Sequence, residues 1–492
     1  MTKKELFGLL QKQVGLYYCQ IKLVKEEVKT EKGNIIVSLL EDALKLCECT
    51  YVNIYMYELS MQNYNDEELF MGNYYCDYAV LDVNMMWERI LNFLGIVYKI
   101  EFDVVPQNNT WDFLYKKLKK CSDLDIEIKD VLQKLIGDNA FGKLKLDRNN
   151  NEHDISVHLM DYNIDFNDKL EYTIDQYGNP ILDKDFYEKF VWQSNMAVRK
   201  NKKDTIKKLE KQLEYFNEIF KKCFSLLKIN IDLEEQICIN NIDFYKYDFT
   251  SEVQFIIDDI SKTKENFVIK ADDIVIRLFK VRDRVKAIAD EINMYPALIF
   301  KQPPTIQILE YNIDVAYRSV ELIRTIQFML AIVQPFEVKF KHIDSQITDY
   351  YYYYDYAIIR LYSLFEKIAK FLYVRFELDE YDGDKSRLKK IYLNTVIEIA
   401  CKEKMDQIKP MAMLLKLTNS SEYKLYEQIR NKTYHSIGIS IGVVEAERGN
   451  LEFASIKLML ELMEQLTDIL EVIEEGEDNN LAMSKILRSK YK

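Results

Sequence analysis

At 492 residues the chain exceeds what one ordinary core encloses and fits roughly two to four domains. Only 13 glycines and 7 prolines accompany abundant Leu, Ile, Lys, Glu and Tyr, a balance that predicts a mainly α chain. The formal charge of −13 works against nucleic-acid binding over the whole surface, so any such site must be a local basic patch.

Residues 1–30 carry apolar side chains at helical spacing among charges throughout and predict an amphipathic helix, without the apolar run and cleavage site of a secretory signal. Nowhere do about 18 apolar residues run uninterrupted by charge, so no membrane span is expected. The cysteines are scattered apart from Cys47 and Cys49, and no second Cys or His pair stands near these two to complete a tetrahedral site. A reducing, cytoplasmic setting with no metal and no cofactor is expected. Residues 31–225 read as a first bundle of four or five helices, interrupted near 165–185 where "YGNP" signals a small hairpin. Residues 226–300 read as an irregular α/β connecting segment with a helical stretch from Ile274 to Asn293, closing on "YPALIFKQPPTI", which holds three of the seven prolines. A second helical bundle, 301–480, and a basic tail, 481–492, follow. The basic stretches from Val198 to Lys211 and from Arg277 to Lys286 read more readily as solvated helix faces than as nucleic-acid patches.

The two bundles are related. Shifting the sequence by 278 positions lays Cys76–Leu94 over Tyr354–Leu372, with seven of 19 residues identical, among them Asp77/Asp355, Tyr78/Tyr356 and Glu88/Glu366, and with Arg89 over Lys367. From the matched Glu to a downstream Arg is 60 residues in the first copy and 64 in the second. At that point both copies read Arg-Asn, three residues, His: "RNNNEH" (Arg148 to His153) and "RNKTYH" (Arg430 to His435).

If each motif is helical, Asn149 and His153, and likewise Asn431 and His435, project from one face, with the Arg at its edge. A forked permanent cation, an amide and an imidazole that titrates near neutrality suit a phosphodiester whose proton must be moved. The Arg would bind non-bridging oxygens and offset charge growing at phosphorus, while the His takes or gives a proton. One His cannot conveniently be base and acid in one step; two can.

Arg, a polar residue and His at this spacing resemble the signature of the HEPN superfamily. The resemblance covers both copies and implies tandem HEPN-like bundles. It also implies metal-independent RNA cleavage to 2′,3′-cyclic phosphate and 5′-hydroxyl ends at a composite site, as in toxins and anti-phage effectors. On that reading Arg430, His435, Arg148 and His153 are catalytic, Asn431, Asn149, Glu366 and Glu88 support them, and Tyr434 and Lys432 contact RNA. Glu88 and Glu366 would orient a motif Arg or His; the other reading makes each an exposed Glu on an amphipathic helix. Glu152 and Asp154 beside His153, in poor helix-forming sequence, leave the second motif as the expected stronger half.

The expected partners are an RNA substrate and an activating or inhibitory protein, with the site completed within one chain or across a homodimer. The alternative is a non-catalytic interaction protein whose motifs bridge the two domains. His158 and His342 have no partner pattern, and the tyrosine run from Tyr350 to Tyr354 reads as the start of a buried helix. Phosphate loops, nucleophile elbows and metalloprotease motifs are absent from the sequence, so the common NTPase and hydrolase classes lack support.

Overall fold

The computed structural model describes residues 3–61, 66–100, 110–153, 172–174, 180–182, 184–231, 351–380, 385–388, 391–435 and 445–475, with further helical positions at 270, 273–281, 283 and between 311 and 325. The chain is mainly helical, as its composition predicts. In the first half α1 (Lys3–Glu27), α2 (Glu31–Ser60), α3 (Asp66–Val97), α4 (Thr110–Lys120), α5 (Ile126–Gly137) and α6 (Asn139–His153) precede strands β1 (Tyr172–Ile174) and β2 (Pro180–Leu182) and the long α7 (Lys184–Ile231). In the second half α8 (Tyr351–Arg375), a 3-10 turn (Leu378–Glu380), α9 (Lys385–Leu388), α10 (Leu393–Lys402), α11 (Lys409–Thr418), α12 (Ser421–His435) and α13 (Glu445–Glu475) follow.

Local chemistry sets several of these boundaries. Thr30 starts α2 by accepting from the Gly33 N–H at 3.1 Å, and Asp125 caps α5 by accepting from Glu127 and Ile128. Pro410 stands in the first turn of α11, where its missing N–H costs nothing. The hairpin lies where the sequence predicts it, antiparallel with Tyr172 opposite Leu182. Helix α7 runs on to Ile231, past the domain boundary expected at 225, because its apolar spacing continues through Phe224 and Leu227, both buried. Most of the connecting segment, Tyr350, His158, His342 and the tail lie outside the described residues, as do the side chains of Tyr351 to Tyr354.

Helices α3 and α8 are the matched helices of the sequence repeat, and their ends, Val97 and Arg375, are 278 residues apart (375 − 97), the repeat offset itself. Every residue from Gly72 to Ile96 is buried, as is Asp355 to Val374 apart from Tyr362. Both helices are therefore enclosed on all sides, and the amphipathic-face reading of Glu88 and Glu366 is corrected. Side chains such as Trp87, Phe93, Phe365 and Leu372 contribute about 1.5–3 kcal/mol each by leaving water.

The two copies face each other reciprocally. Tyr78 and Tyr356, matched residues of the repeat, touch edge to face with ring centroids 4.0 Å apart. Helix α12 packs on α3, and its counterpart α6 packs on α8. Equivalent residues in mutual contact, with equivalent helices exchanged, define an isologous interface of the kind seen between twofold-related subunits. Buried ion pairs reinforce it: Lys45 to Asp355 at 3.1 Å and Arg318 to Asp77 at 3.4 Å.

Candidate active site

Ser420 accepts from the Tyr423 N–H at 3.1 Å at the start of α12, which buries Tyr423, Tyr426, Ile429, Arg430, Thr433 and Tyr434 as one stripe. The four-residue spacing puts Arg430 and Tyr434 one turn apart on this inward face. The Arg430 guanidinium lies 4.2 Å from the Tyr362 ring centroid and 5.1 Å from that of Tyr434. Arg148, from the end of α6, lies 5.2 Å from the same Tyr434 ring. The guanidinium groups of both motifs, 282 residues apart in sequence (430 − 148), thus converge on one aromatic face system. The Nε of each arginine is buried with no hydrogen-bond partner among the described residues. Two unspent donors on permanent cations at one place suit an anion.

His435 ends α12, its ring 4.6 Å from that of Tyr434 and its Nδ1 3.4 Å from Oε2 of Glu88 on α3. Burial pushes Glu88 upward, but the His435 contact and the charges of Arg148 and Arg89 together bring it below the ordinary carboxylate value. An ionised Glu88 can only accept, so Nδ1 of a neutral His435 carries the proton and Nε2 is left basic. Burial lowers the imidazole below its usual value, Glu88 opposes that shift, and Arg430 and Arg148 add to it.

The same turn of α3 also holds the backbone of the motif. Arg89, fully buried, donates from Nε to Asp42 at 2.7 Å, from Nη1 to the Tyr434 carbonyl at 2.7 Å and from Nη2 to the Thr433 carbonyl at 2.5 Å. Asn92 donates to the His435 carbonyl at 3.0 Å. These carbonyls belong to the last turn of α12, where the carbonyls of a helix need donors from outside its own hydrogen-bond ladder.

The predicted residues are distributed as follows. Arg148, Arg430, His435 and Glu88 come together. Helix α6 continues through the poor helix formers to His153, whose side chain lies outside the described residues. Glu366 is also buried, but it accepts from the Leu393 N–H at 3.0 Å at the start of α10 and lies near Arg430, not His435. Asn431 is exposed and accepts from Arg430 Nη1 at 3.0 Å; Asn149 is exposed, and Lys432 is half-buried. Tyr434, expected to contact RNA, is only 1% exposed, and the guanidinium groups of Arg148 and Arg430 lie against its ring. Within the basic stretches, Arg277 is bonded to Glu471 at 2.6 Å, and Lys202 and Lys211 are bonded to Asp77 and Asp138, each at 2.7 Å.

Sequence reasoning did not single out Arg89, Asn92 or Asp42. The available signal was the spacing Glu88, Arg89, Asn92 on a matched helix, which places all three on one side of α3. Among the described residues no cluster of three His, Cys, Asp or Glu could hold a metal, and no helix is long and apolar enough to cross a membrane.

Residues 312–484, the segment that includes α8 to α13 and the second motif, match the family model HEPN_Cthe2314, of Cthe2314-like HEPN domains. This part of the chain is a HEPN-like domain. No curated protein matches the chain, and no solved structure does.

Proposed function

We propose that this chain is a metal-independent endoribonuclease of HEPN type, in which residues 31–225 form a second HEPN-like domain paired with the C-terminal one. The observation that carries the reading is the convergence of Arg148 and Arg430, each with a buried Nε that has no partner among the described residues, beside an imidazole aligned by a carboxylate from the other copy. Arg148 and Arg430 bind the non-bridging oxygens of a phosphodiester and stabilise the charge that grows as phosphorus becomes five-coordinate. His435 Nε2 takes the proton from a ribose 2′-hydroxyl, whose oxygen bonds to phosphorus. The bond from phosphorus to the 5′-oxygen breaks, and His153 supplies the proton that this oxygen needs, leaving a 2′,3′-cyclic phosphate and a 5′-hydroxyl. Asn431 steadies the Arg430 fork, Asn149 and Lys432 lie at the rim where RNA approaches, and Glu366 fixes the element beside Arg430.

The −13 charge and the depth of Arg430, 7% exposed, support a restrained enzyme that a protein partner or another signal opens, as befits a toxin or anti-phage effector. The burial of Tyr434 favours one other reading, a non-catalytic interaction protein in which the motifs are mortar between the two copies. Incubating a mixed RNA pool in EDTA, with cell extract or phage lysate as activator, separates the two. Cyclic-phosphate ends from the wild type, reduced about 10²- to 10⁴-fold in Arg430→Ala and His435→Ala, are the expected outcome. Folded wild type that leaves RNA intact under every condition would overturn the proposal in favour of the interaction protein.

A further inference from the structure

We infer that Arg89 is a positioning residue for His435, a fork that the first copy lends to the second. The inference rests on the ribonuclease reading, which assigns no role to Arg89. Three of its donors are spent in different directions: one on Asp42 of α2, and two on the carbonyls of Thr433 and Tyr434, the two residues before the histidine. Asn92, one turn further along α3, holds the carbonyl of His435 itself. Three consecutive carbonyls at the end of α12 are therefore read by a single turn of α3, from which Glu88 also reaches the imidazole.

A helix end frays unless its last carbonyls find donors. Here the donors come from a residue more than 340 positions away in sequence, with |i−j| of 344 and 345. Because Arg89 is anchored by a buried carboxylate, its guanidinium plane is fixed, and with it the place where α12 stops. The distance and angle between His435 and the Arg148–Arg430 pair follow from that fixed end. The repeat counterpart, Lys367, pairs instead with Asp314, and an ammonium lacks the flat fork that spans two carbonyls. The carbonyl grip described here is thus built on the side of the second motif.

Arg89→Lys keeps a cation for Asp42 but cannot bridge both carbonyls, and Asn92→Ala removes the third carbonyl contact without disturbing the buried charge. In the full chain, kcat for RNA cleavage should fall about tenfold in each, since a misaligned base loses rate before it loses binding, while KM stays within about twofold. In histidine-labelled protein the His435 NMR titration should move toward the ordinary imidazole value in both variants as the ring becomes more mobile and hydrated, with the fold intact by circular dichroism. Unchanged kcat and an unchanged His435 titration in folded Arg89→Lys and Asn92→Ala would overturn the inference even if the wild type cleaves RNA. If the wild type does not cleave RNA, the ribonuclease reading fails instead, and the titration alone decides whether Arg89 sets the environment of His435.

Discussion

At the scale of single residues, the chemistry of His435 is set by neighbours whose signs oppose each other. Burial, Arg430 and Arg148 disfavour the imidazolium, and Glu88 favours it. The general base that the ribonuclease proposal makes of His435 works in its neutral form, so on that proposal its ionisation appears as the acid limb of the pH profile of kcat/KM. Glu88→Gln removes the carboxylate that raises the imidazole, so that limb should move to lower pH. Arg148→Ala removes a charge that lowers it, so the limb should move to higher pH, with a lower plateau because the cation proposed to bind a phosphate oxygen is gone. Both profiles, measured at one ionic strength, check the assignment; shifts of the same sign in the two variants would contradict it. The motif itself was legible in the sequence, because an Arg and a His at matching points of a repeat is a pattern of residue types. The role of Tyr434 was not, because "NKTYH" gives its spacing but not the two guanidinium groups that come from opposite halves of the chain to cover its ring.

At the scale of helices, matched elements have been put to different uses. Glu88 and Glu366 occupy the same repeat position on α3 and α8, yet one faces an imidazole on α12 and the other satisfies the first N–H of α10. A buried N–H that loses its acceptor costs about 1–3 kcal/mol. Glu366→Ala should therefore destabilise the protein by about that amount in urea unfolding, whereas Glu88→Gln, which keeps a polar group at its position, should change stability much less. Equal losses in the two variants would show that the copies use this position alike. The helices could be read from the sequence because their apolar spacing is local information, and so could the hairpin, where the turn signal lies between alternating residues. The unbroken burial of α3 from Gly72 to Ile96 could not. Its polar residues, Asp77, Asp82, Glu88, Arg89 and Asn92, look like a solvated face until the partners that satisfy them are known. Those partners lie on helices from distant parts of the chain.

At the scale of the whole molecule, the two copies meet around buried ionisable groups, and one of them makes stability depend on pH. Asp82 on α3 accepts from Asn53 on α2 at 2.9 Å and bonds to the Tyr356 hydroxyl on α8, so a single carboxyl joins both halves. Its repeat counterpart is Arg360 (82 + 278), and Lys45 is close enough to favour its charge. Even so, burial outweighs these neighbours and pushes Asp82 up to about 8 from 3.8. Between those two values the folded chain holds a proton on Asp82 that the unfolded chain has released. The contribution of Asp82 to stability is thus fully present below 3.8 and is lost as the pH rises through about 8. One such group changes the unfolding free energy by at most about 1.4 kcal/mol per pH unit. Asp82→Asn imitates the neutral carboxyl and does not titrate, so the variant should be matched in stability below pH 3.8 and gain on the wild type steadily as the pH rises toward 8. Urea unfolding of both proteins across that range reads the difference directly, with other titrating groups cancelling between them. A difference that stays flat would mean that Asp82 is ionised in the fold and that Tyr356, Asn53 and the surrounding cations, not a retained proton, hold the two copies together at this point.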